Sequence, residues 1–438
     1  MNSATLPLLS SPTTCARLAW WQGQPISRNV FLAQVNQVAK NLPQRRFAIN
    51  LCDDRYLFMV AFAAVSVTGQ TNLLPASRVN RDIQDTLAAY PDSYCLLDHD
   101  INGWIKDGNL GHESMVPEIA FDQEVVIVFT SGSTGRAQPN PKRWGDLVKG
   151  AQLAQCRFGF GEEAGTTLVA TVPPQHMYGL EISIIIPLVT ETSIHSGRPF
   201  FPEAICATLA GVPAPRILIT TPIHLRVCAK ADLRWPPLAF IVSATAPLSK
   251  TLAAQTEQVF GTRVLEMYGC TEAGSLASRR TVTDDLWRLY DGLRISEGCV
   301  HGTHLPAPVR LNDIVEPHGD NEFKLLGRRE DLVNIAGKRA SLSHLNHTLN
   351  DIEGIVDGVF IMLDDREDRT IRLTALVVAP AVSEQRILAA LAERIDPVFL
   401  PRPLYKVERL PRNETGKLPR DALLRLVNAL KKSPGKSG

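Results

Sequence analysis

A run of small and hydroxylated residues follows a short apolar segment in the first third of the chain. The apolar segment is VVIVF, residues 125–129, and the sequence TSGSTG comes directly after it. Backbone N–H groups freed by glycine, together with hydroxyls, form a good donor set for an anion. The run lacks the Lys-Ser/Thr that completes a P-loop. It predicts a phosphate-binding loop of another kind, with an ordinary polar turn as the alternative, and its residues are Thr130, Ser131, Gly132, Ser133, Thr134 and Gly135.

Four later segments also combine glycine or a turn with charged residues. EMYGCTEAG (266–274) places Glu272 beside Thr271, and RLND (310–313) offers Asp313 after a strand-like run. GRRED (327–331) and PRNETGKLPR (411–420) follow. The order and spacing of these four segments and the loop resemble the adenylate-forming ligase superfamily. That superfamily includes acyl- and aryl-CoA synthetases, carrier-protein-loading adenylation domains and luciferases, and the resemblance covers residues from about 130 to 420.

The resemblance implies an enzyme that uses ATP and Mg²⁺ in two half-reactions. A carboxylate attacks the α-phosphate of ATP to give an acyl-adenylate and pyrophosphate, and a thiol then takes the acyl group while AMP leaves. Cations and hydrogen-bond donors should do most of the work of the first step, because it moves negative charge onto phosphate oxygens. The Pro-Lys pair that often follows this loop in the superfamily is Ala137-Gln138 here. The missing positive charge is supplied by Lys142 or Arg143, or it is not replaced at all.

The resemblance also implies which residues hold the nucleotide. The loop wraps the β- and γ-phosphates, Tyr268 stacks on adenine opposite the turn 243–247, and Asp313 accepts both ribose hydroxyls. Arg328 supports the ribose or a phosphate. Besides the loop, the implied ATP or AMP contacts are Ser243, Ala244, Thr245, Ala246, Tyr268, Gly269, Thr271, Asp313 and Arg328.

The implied catalytic residues are Lys417, Glu272 and His176. Glu272 and Thr134 are the implied Mg²⁺ ligands, since a carboxylate with a hydroxyl suits a hard ion that keeps its waters. Lys417 reaches the α-phosphate only when a small domain closes, and Glu330 is the hinge of that motion. PPQHMYG (173–179) borders the acyl pocket, although a core histidine is the alternative for His176. The implied pocket residues are His176, Tyr178, Gly179 and Met267.

The elements that must position these residues have an alternating α/β pattern. Continuous apolar runs that end in Gly, Pro, Ser or Thr alternate with helical stretches, which favours mainly parallel sheets with crossover helices. Ligands bind beyond the carboxyl ends of such strands. The pattern changes after residue 325, where a smaller unit begins. We predict an N-terminal adenylation domain at 1–327, a hinge at 328–331, a mobile C-terminal α+β domain at 332–430 and a disordered tail at 431–438.

Composition is that of a cytoplasmic globular protein. The 438 residues are 45% hydrophobic and 21% charged, and no segment predicts a membrane span or a signal peptide. The eight cysteines are scattered without a C-x-x-C, so we expect reduced thiols. The histidine pairs 301/304 and 344/347 lack a nearby Cys or third ligand, so we interpret them as surface histidines and not as a metal site.

The net charge of +1 is distributed unevenly along the chain, and this distribution bears on which thiol-bearing molecule accepts the acyl group. Residues 400–438 contain ten Lys or Arg and three Asp or Glu, a net of +7. A basic surface can receive an acidic protein or a polyanion, and no nucleic-acid motif accompanies it. The segments 69–75, 243–249 and 287–292 resemble small AMP-ligases of aryl-polyene and xanthomonadin-type pathways.

That narrower resemblance implies an aryl acid such as a hydroxybenzoate or coumarate, and an acyl carrier protein in trans as acceptor. An aryl- or fatty-acyl-CoA ligase that uses free CoA is the alternative, because the basic end also suits the phosphates of CoA. A catalytically weak nucleotide-binding partner protein is another alternative. Ala137-Gln138 favours it, whereas Glu272, Asp313, Arg328 and Lys417 argue against it.

Overall fold

The computed structural model describes residues 4–9, 16–105, 115–131, 137–328, 332–335, 338–363, 372–412 and 418–432. Several predicted site residues lie outside these ranges, namely Gly132, Ser133, Thr134, Gly135, Glu330 and Lys417. The backbone of Ser131 and of Arg328 is described, and their side chains are not.

Helices and strands alternate along the described chain. The α-helices are α1 Arg28–Asn41, α2 Arg55–Val67, α3 Asn80–Ala89, α4 Asp98–Trp104, α5 Trp144–Phe158, α6 Met177–Leu180, α7 Ile186–Val189, α8 Pro202–Ala210, α9 Pro222–Cys228, α10 Lys250–Phe260, α11 Leu342–Asn350, α12 Glu384–Ala392 and α13 Arg420–Lys432. A π-helical turn, Glu181–Ile185, joins α6 to α7, and Pro397–Phe399 is a 3-10 turn.

The strands of the first two hundred residues are β1 Thr5–Pro7, β2 Arg17–Trp21, β3 Gln24–Ser27, β4 Phe47–Asn50, β5 Thr71–Leu74, β6 Ser93–Leu96, β7 Glu118–Ala120, β8 Glu124–Ser131, β9 Ala137–Arg143, β10 Thr167–Ala170 and β11 Ser193–His195. The later strands are β12 Arg216–Thr220, β13 Phe240–Ser243, β14 Val264–Cys270, β15 Gly274–Arg279, β16 Trp287–Leu289, β17 Arg294–Ser296, β18 Cys299–His301, β19 Val309–Arg310, β20 Asp313–His318, β21 Glu322–Arg328, β22 Leu332–Ile335, β23 Lys338–Ser341, β24 Asp357–Leu363, β25 Arg372–Val378 and β26 Leu404–Lys406.

The largest sheet has eleven strands in the order β20-β21-β16-β15-β14-β13-β12-β10-β11-β2-β3. Its six central strands, β14 to β2 in this order, are parallel, and the strands at both ends pair antiparallel. Strands β10 and β13 are fully buried, as expected for parallel strands covered on both faces. The predicted α/β class is therefore confirmed, with antiparallel additions at the edges.

A second sheet has the order β6-β4-β5-β8-β9, and its strands β8 and β9 precede and follow the predicted phosphate loop in the sequence. Strands β8 and β9 form an antiparallel hairpin in which Thr130 pairs with Gln138 and Ser131 pairs with Ala137. The buried helix α2 begins after Asp54, whose side chain accepts hydrogen bonds from the backbone N–H groups of Tyr56 and Leu57. This capping carboxylate satisfies N–H groups that the first helical turn leaves without partners.

The chain beyond residue 332 has apolar clusters of its own. Strands β24, β25 and β26 form one sheet, and helices α11, α12 and α13 accompany it. Its buried apolar residues start at Val333, whereas the clusters of the larger part extend no further than Leu325. One bond between the two parts runs from Arg226 Nη1 to the carbonyl of Val356, at 2.6 Å. Helix α13 ends at Lys432, so its last two residues fall within the segment predicted as a tail.

None of the helices within the described ranges combines the length and the apolar character that a membrane-spanning helix requires.

Candidate active site

The turn after β13 carries a buried hydroxyl and an unusual backbone conformation. Ser243 is fully buried, and its Oγ has no hydrogen-bond partner among the described residues. Thr245 has a φ of 78°, in the left-handed region that β-branched residues rarely adopt. Strained residues and unpaired buried polar groups both occur at ligand sites. The turn predicted from the sequence as a nucleotide contact therefore has the features of a binding surface.

The side chain of Glu266 fixes this turn to the sheet. Glu266 lies on β14 and is 2% exposed. Its carboxylate accepts hydrogen bonds from Leu248 N at 3.0 Å, Arg279 Nε at 2.7 Å and Thr281 Oγ1 at 2.5 Å. Because Leu248 follows the turn directly, this carboxylate holds the turn in register with β14. The sequence analysis did not identify Glu266 or its role.

Tyr268 and Asp313, both predicted as nucleotide contacts, lie within hydrogen-bond distance of each other. The Tyr268 hydroxyl donates to Asp313 Oδ2 at 2.8 Å. The Tyr268 ring packs against Trp287 and Phe323, with ring centroids 5.5 and 5.4 Å apart. Asp313 also pairs with Arg328 across β20 and β21, which places the backbone of Arg328 at the same sheet edge.

The β14–β15 hairpin carries the other predicted residues of this segment. Gly269 pairs with Ser275, and the residues after Cys270, including Thr271 and Glu272, form the turn. The main-chain oxygen of Glu272 accepts a hydrogen bond from Lys142 Nζ at 2.5 Å. Burial, and secondarily the charge of Glu272, raise the pKa of the Cys270 thiol to about 12, so it stays neutral at ordinary pH.

Lys142 and Arg143 are the two candidates to replace the lysine that often follows the phosphate loop, and their environments differ. Lys142 on β9 reaches the hairpin turn at Glu272, and burial lowers the pKa of its ammonium group. Arg143 is exposed and precedes helix α5. Of the two, Lys142 is therefore the cation that lies at the candidate site.

A cavity of about 240 Å³ lies beside the hairpin turn. Its walls come from β9, α5, the helix at 177–189, the β14–β15 hairpin and the segment before β19. Apolar and ionisable side chains both line it: Pro141, Lys142, Asp146, Leu147, Gly150, Met177, Glu181, Glu272, Ala273, Gly274, Ser275, His304, Leu305, Pro306, Ala307, Pro308 and Val309. The cavity thus combines an apolar wall with several charged groups.

The helix at 177–189 is fixed against the carboxyl ends of the parallel strands. The Tyr178 hydroxyl donates to the carbonyls of Thr220 at 3.3 Å and Val242 at 3.1 Å. A Cβ at Gly179 would lie 2.0 Å from the Pro173 carbonyl oxygen, so only glycine allows this approach. The π-helical turn that follows begins at Glu181, and such turns are rare and frequent at functional sites.

The predicted acyl-pocket residues lie next to the cavity wall in sequence. His176 is the residue before α6, Tyr178 and Gly179 hold the helix in place, and Met267 is buried in β14. Within the described chain, the cavity lining includes none of these four and instead includes Met177 and Glu181. The sequence signal for Glu181 is a single charged residue in the apolar run GLEISIIIPLV (179–189). Ser275 and His304 had no comparable signal.

The interpretation of His304 as a surface histidine is wrong. His304 is 3% exposed, and its Nε2 donates to the carbonyl of Ala273 at 3.2 Å. Burial lowers the pKa of its imidazole, so it is neutral at physiological pH. No group of three or more His, Cys, Asp or Glu in the described ranges is arranged to hold a metal ion.

Comparison with known proteins settles the family. Residues 38–298 match the family described as "AMP-binding enzyme". The chain belongs to the AMP-binding enzymes. This AMP-binding enzyme is 26% identical to 4-coumarate–CoA ligase of Rhodobacter capsulatus over 323 residues, which cover 72% of the chain and 79% of that relative. It is 22% identical to 2-succinylbenzoate–CoA ligase of Staphylococcus epidermidis over 329 residues, with coverage of 67% and 68%.

Solved structures share the fold of this AMP-binding enzyme over nearly the whole chain. ATP-bound MatB from Rhodopseudomonas palustris superposes with a TM-score of 0.81 at 16% identity, covering 96% of this chain and 97% of that one. The o-succinylbenzoate CoA synthetase of Bacillus subtilis, in complex with its acyl-adenylate intermediate, gives 0.81 at 16% identity, with coverage of 96% and 98%. The family match, the CoA-ligase relatives and this shared fold together confirm the resemblance to the adenylate-forming superfamily.

Proposed function

We propose that this enzyme activates an aryl acid with ATP, releasing pyrophosphate, and transfers the acyl group from the acyl-adenylate to the phosphopantetheine thiol of a separate acyl carrier protein. The observation that carries this proposal is the position of the cavity. Glu272 lies in the hairpin turn that lines the cavity, and Tyr268, which bonds to Asp313, lies on the strand leading into that turn. An acid in the cavity would therefore meet a nucleotide held on the other side of the turn.

The described residues fit ATP and Mg²⁺. The buried Ser243 hydroxyl without a partner and the turn at Thr245 offer polar groups beyond the carboxyl end of a parallel strand, where nucleotides commonly bind. Mg²⁺ is usually held by one or two carboxylates together with substrate phosphates and waters. The carboxylate of Glu272 suits that role, with Thr134 as the further proposed ligand. Bound Mg²⁺ would neutralise charge on the phosphate oxygens.

The cavity supports an acid of moderate size with an apolar body. Its volume of about 240 Å³ and the apolar side chains of Leu147, Met177, Leu305 and Val309 suit a single aromatic ring with a short chain. Relatives that act on 4-coumarate and 2-succinylbenzoate favour the same class of acid.

The acceptor thiol has two candidates. The net charge of +7 over residues 400–438 favours an acidic carrier protein. Free CoA is the second candidate, because the relatives named above are CoA ligases. Both acceptors carry the same phosphopantetheine thiol, so the first half-reaction does not distinguish them.

Acid-dependent exchange of pyrophosphate into ATP tests the proposal. We expect exchange with hydroxybenzoates or coumarates to exceed exchange with long-chain fatty acids, followed by acyl loading of a holo-carrier protein. A protein that binds ATP and shows no exchange with any acid would instead be the nucleotide-binding partner.

A variant at Lys417 separates the two half-reactions. Lys417→Ala should slow adenylate formation by roughly 10²–10³-fold, the usual effect of losing one preorganised contact to developing charge. Transfer from a synthetic acyl-adenylate to the thiol should be largely spared, because in that step the small domain has turned about the hinge at Glu330. Lys406→Ala, an exposed lysine on β26, is the matched control. An equal loss in both steps would contradict a role restricted to the first.

A further inference from the structure

We propose that Glu181, Ser275 and Lys142 form a polar end of the acyl cavity that selects acids carrying a neutral hydroxyl group. The inference rests on the proposed function and names the group by which the enzyme recognises its acid. All three side chains line the same cavity, on the π-helical turn, on β15 and on β9.

Glu181 is held with both carboxylate oxygens at fixed positions. It is 4% exposed, and its Oε2 accepts a hydrogen bond from Ser275 N at 2.9 Å. Its Oε1 accepts a second bond from the Ser275 hydroxyl. Burial raises the pKa of Glu181, and the two bonds from Ser275 oppose that rise because they favour a carboxylate whose two oxygens both accept. A carboxylate has about four lone-pair sites, so Glu181 keeps acceptor capacity for a ligand.

Lys142 supplies the complementary donor. Its ammonium has three N–H bonds, and among the described residues one of them donates, to the carbonyl of Glu272. Lys142 and Glu181 line the same cavity, and the charge of Lys142 also opposes the rise in the pKa of Glu181. The polar end of the cavity therefore offers an acceptor and a donor together.

The charges around the cavity decide between three kinds of substituent. Besides Lys142, the ionisable groups on the lining are Glu181, Asp146, Glu272 and the neutral His304. Since we assign Glu272 to Mg²⁺, a second carboxylate on the acid would meet two further acidic side chains, Glu181 and Asp146, and one cation, and it could not donate to Glu181. An ammonium could not accept from Lys142. A hydroxyl can donate to Glu181 and accept from Lys142 at once, so it alone satisfies both.

Glu181 packs closely against the β14–β15 hairpin, so its carboxylate is fixed in position. Gly274 has a φ of 77°, and a Cβ built there would lie 3.3 Å from Glu181 Oε2 and 3.6 Å from Met177 Cε. The carboxylate thus lies directly against the hairpin backbone, and it has little room to withdraw from an apolar ligand. An acid without the hydroxyl would place apolar surface against the remaining acceptor site of Glu181 and the remaining donors of Lys142, and binding sites discriminate strongly against such unpaired polar groups.

Matched pairs of acids test the inference. We expect kcat/KM in the exchange reaction to be at least roughly 10²-fold higher for 4-hydroxybenzoate than for benzoate, and for 4-coumarate than for cinnamate, since sites built to bind a hydroxyl can discriminate by ~10⁴–10⁵. Glu181→Gln and Lys142→Met should each reduce this ratio below about ten, chiefly by lowering the value for the hydroxylated acid.

The matched control is Lys149→Met. Lys149 also donates to a backbone carbonyl, that of Thr303 at 3.3 Å, but it does not belong to the described lining of the cavity. This variant should keep the wild-type ratio. Ser275→Ala is a milder change at the same end of the cavity and should reduce the ratio less than Glu181→Gln, so it carries the test if the glutamate variant fails to fold.

The outcomes separate the inference from the proposed function. Exchange with aryl acids but no preference for the hydroxylated member, or a preference that survives all three substitutions, overturns the inference and leaves acid activation intact. A preference for a dicarboxylate such as 2-succinylbenzoate also overturns it. Absence of exchange with every acid overturns the proposed function itself.

Discussion

Tyr268 and Asp313 connect two strands of the large sheet through a single hydrogen bond of 2.8 Å. Tyr268 lies on central β14, and Asp313 starts β20 at one edge of the sheet. The bond fixes the Asp313 carboxylate at the point where we propose that the ribose binds. Asp313 thereby needs no rearrangement to receive two hydroxyls, so its contribution should be equal in the ground and transition states.

Asp313→Ala should therefore raise the KM for ATP by roughly ten- to a hundredfold, since hydrogen bonds to a charged group contribute about 1.5–3 kcal/mol each. The maximal rate should change less, which is the signature of uniform binding. Steady-state exchange kinetics measure both constants. Glu316→Ala, an exposed carboxylate on the same strand, is the control. A collapsed turnover with an unchanged KM would contradict this role.

The buried His224 should make stability depend on pH. Burial, and secondarily Arg198, lower the pKa of His224 from 6.5 to about 4. The unfolded chain therefore binds a proton more readily, so the contribution of neutral His224 is complete above pH 6.5 and is lost as the pH falls from 6.5 to 4. The full loss is about 3 kcal/mol by linkage.

Chemical denaturation at pH 7 and pH 5 measures this loss. In His224→Gln, which cannot take up a proton in this range, the free energy of unfolding should fall less between the two pH values than in the wild type. An identical fall in both proteins would assign the pH dependence to other groups.

At the scale of elements, the site depends on turns whose positions are set by side chains from other elements. The turn after β13 is held by Glu266 on β14, and Glu266 is in turn paired with Arg279 on β15 at 2.6 Å. Three adjacent strands thus share one carboxylate. Loss of that carboxylate should affect both the sheet and the nucleotide side of the site.

Glu266→Gln should lower the free energy of unfolding by about 2 kcal/mol, because it leaves the largely buried Arg279 without its charged partner. It should also weaken ATP binding through the displaced turn. Thermal unfolding and the KM for ATP measure the two effects. Glu257→Gln breaks the more exposed pair with Arg280 and should cost less than about 1 kcal/mol. Equal effects of the two substitutions on stability and on the KM for ATP would contradict the role of Glu266 in holding the turn.

The sequence predicts the central elements better than the connections between them. The apolar runs that became β10, β12, β13 and β14 are identifiable because parallel strands are buried on both faces. Strand β9, with its sequence AQPNPKR, has the composition of a loop and exists as a strand because it pairs with β8. The helix at 177–189 is defined by contacts with Thr220 and Val242, which no local pattern contains.

The same distinction applies to the site. Motif residues such as Tyr268, Glu272 and Asp313 can be found because their spacing is typical of a superfamily. Lys142 and Glu181 come to line the same cavity only through the tertiary fold, so neither could be assigned to it from the sequence alone.

At the scale of the whole molecule, the part beyond residue 332 carries the basic segment and also contacts the larger part of the chain. Arg226 on α9 donates to the Val356 carbonyl at 2.6 Å, and the next residue, Asp357, pairs with Arg412 at 2.6 Å. The basic segment 400–438 belongs to the same part. If the carrier protein binds to this part, the positive charge of the segment should influence how fast an acidic carrier protein is acylated.

Acyl transfer should therefore run faster to a holo-carrier protein than to CoA at low salt, and added salt should narrow the difference. Surface charges are screened beyond ~8 Å at physiological ionic strength. Single-turnover transfer from a bound acyl-adenylate, measured across salt concentrations, gives both rates. Pantetheine without phosphates or protein is the control and should show little salt dependence. Equal rates for the two acceptors at low salt would favour CoA as the natural acceptor.

The strand order of the large sheet has a consequence for how the protein is made. Strand β2 pairs with the nearby β3 on one side and with β11 on the other, through Ile194 beside Ala19 and His195 beside Trp20, so this second partner is synthesised about 170 residues later. At roughly 5–20 residues per second, the ribosome takes on the order of 10–35 s to supply it. The five-stranded sheet uses only residues 47–143 and can form first. The apolar strand at the start of the chain must meanwhile stay soluble, so we expect the nascent protein to need chaperones until β11 emerges.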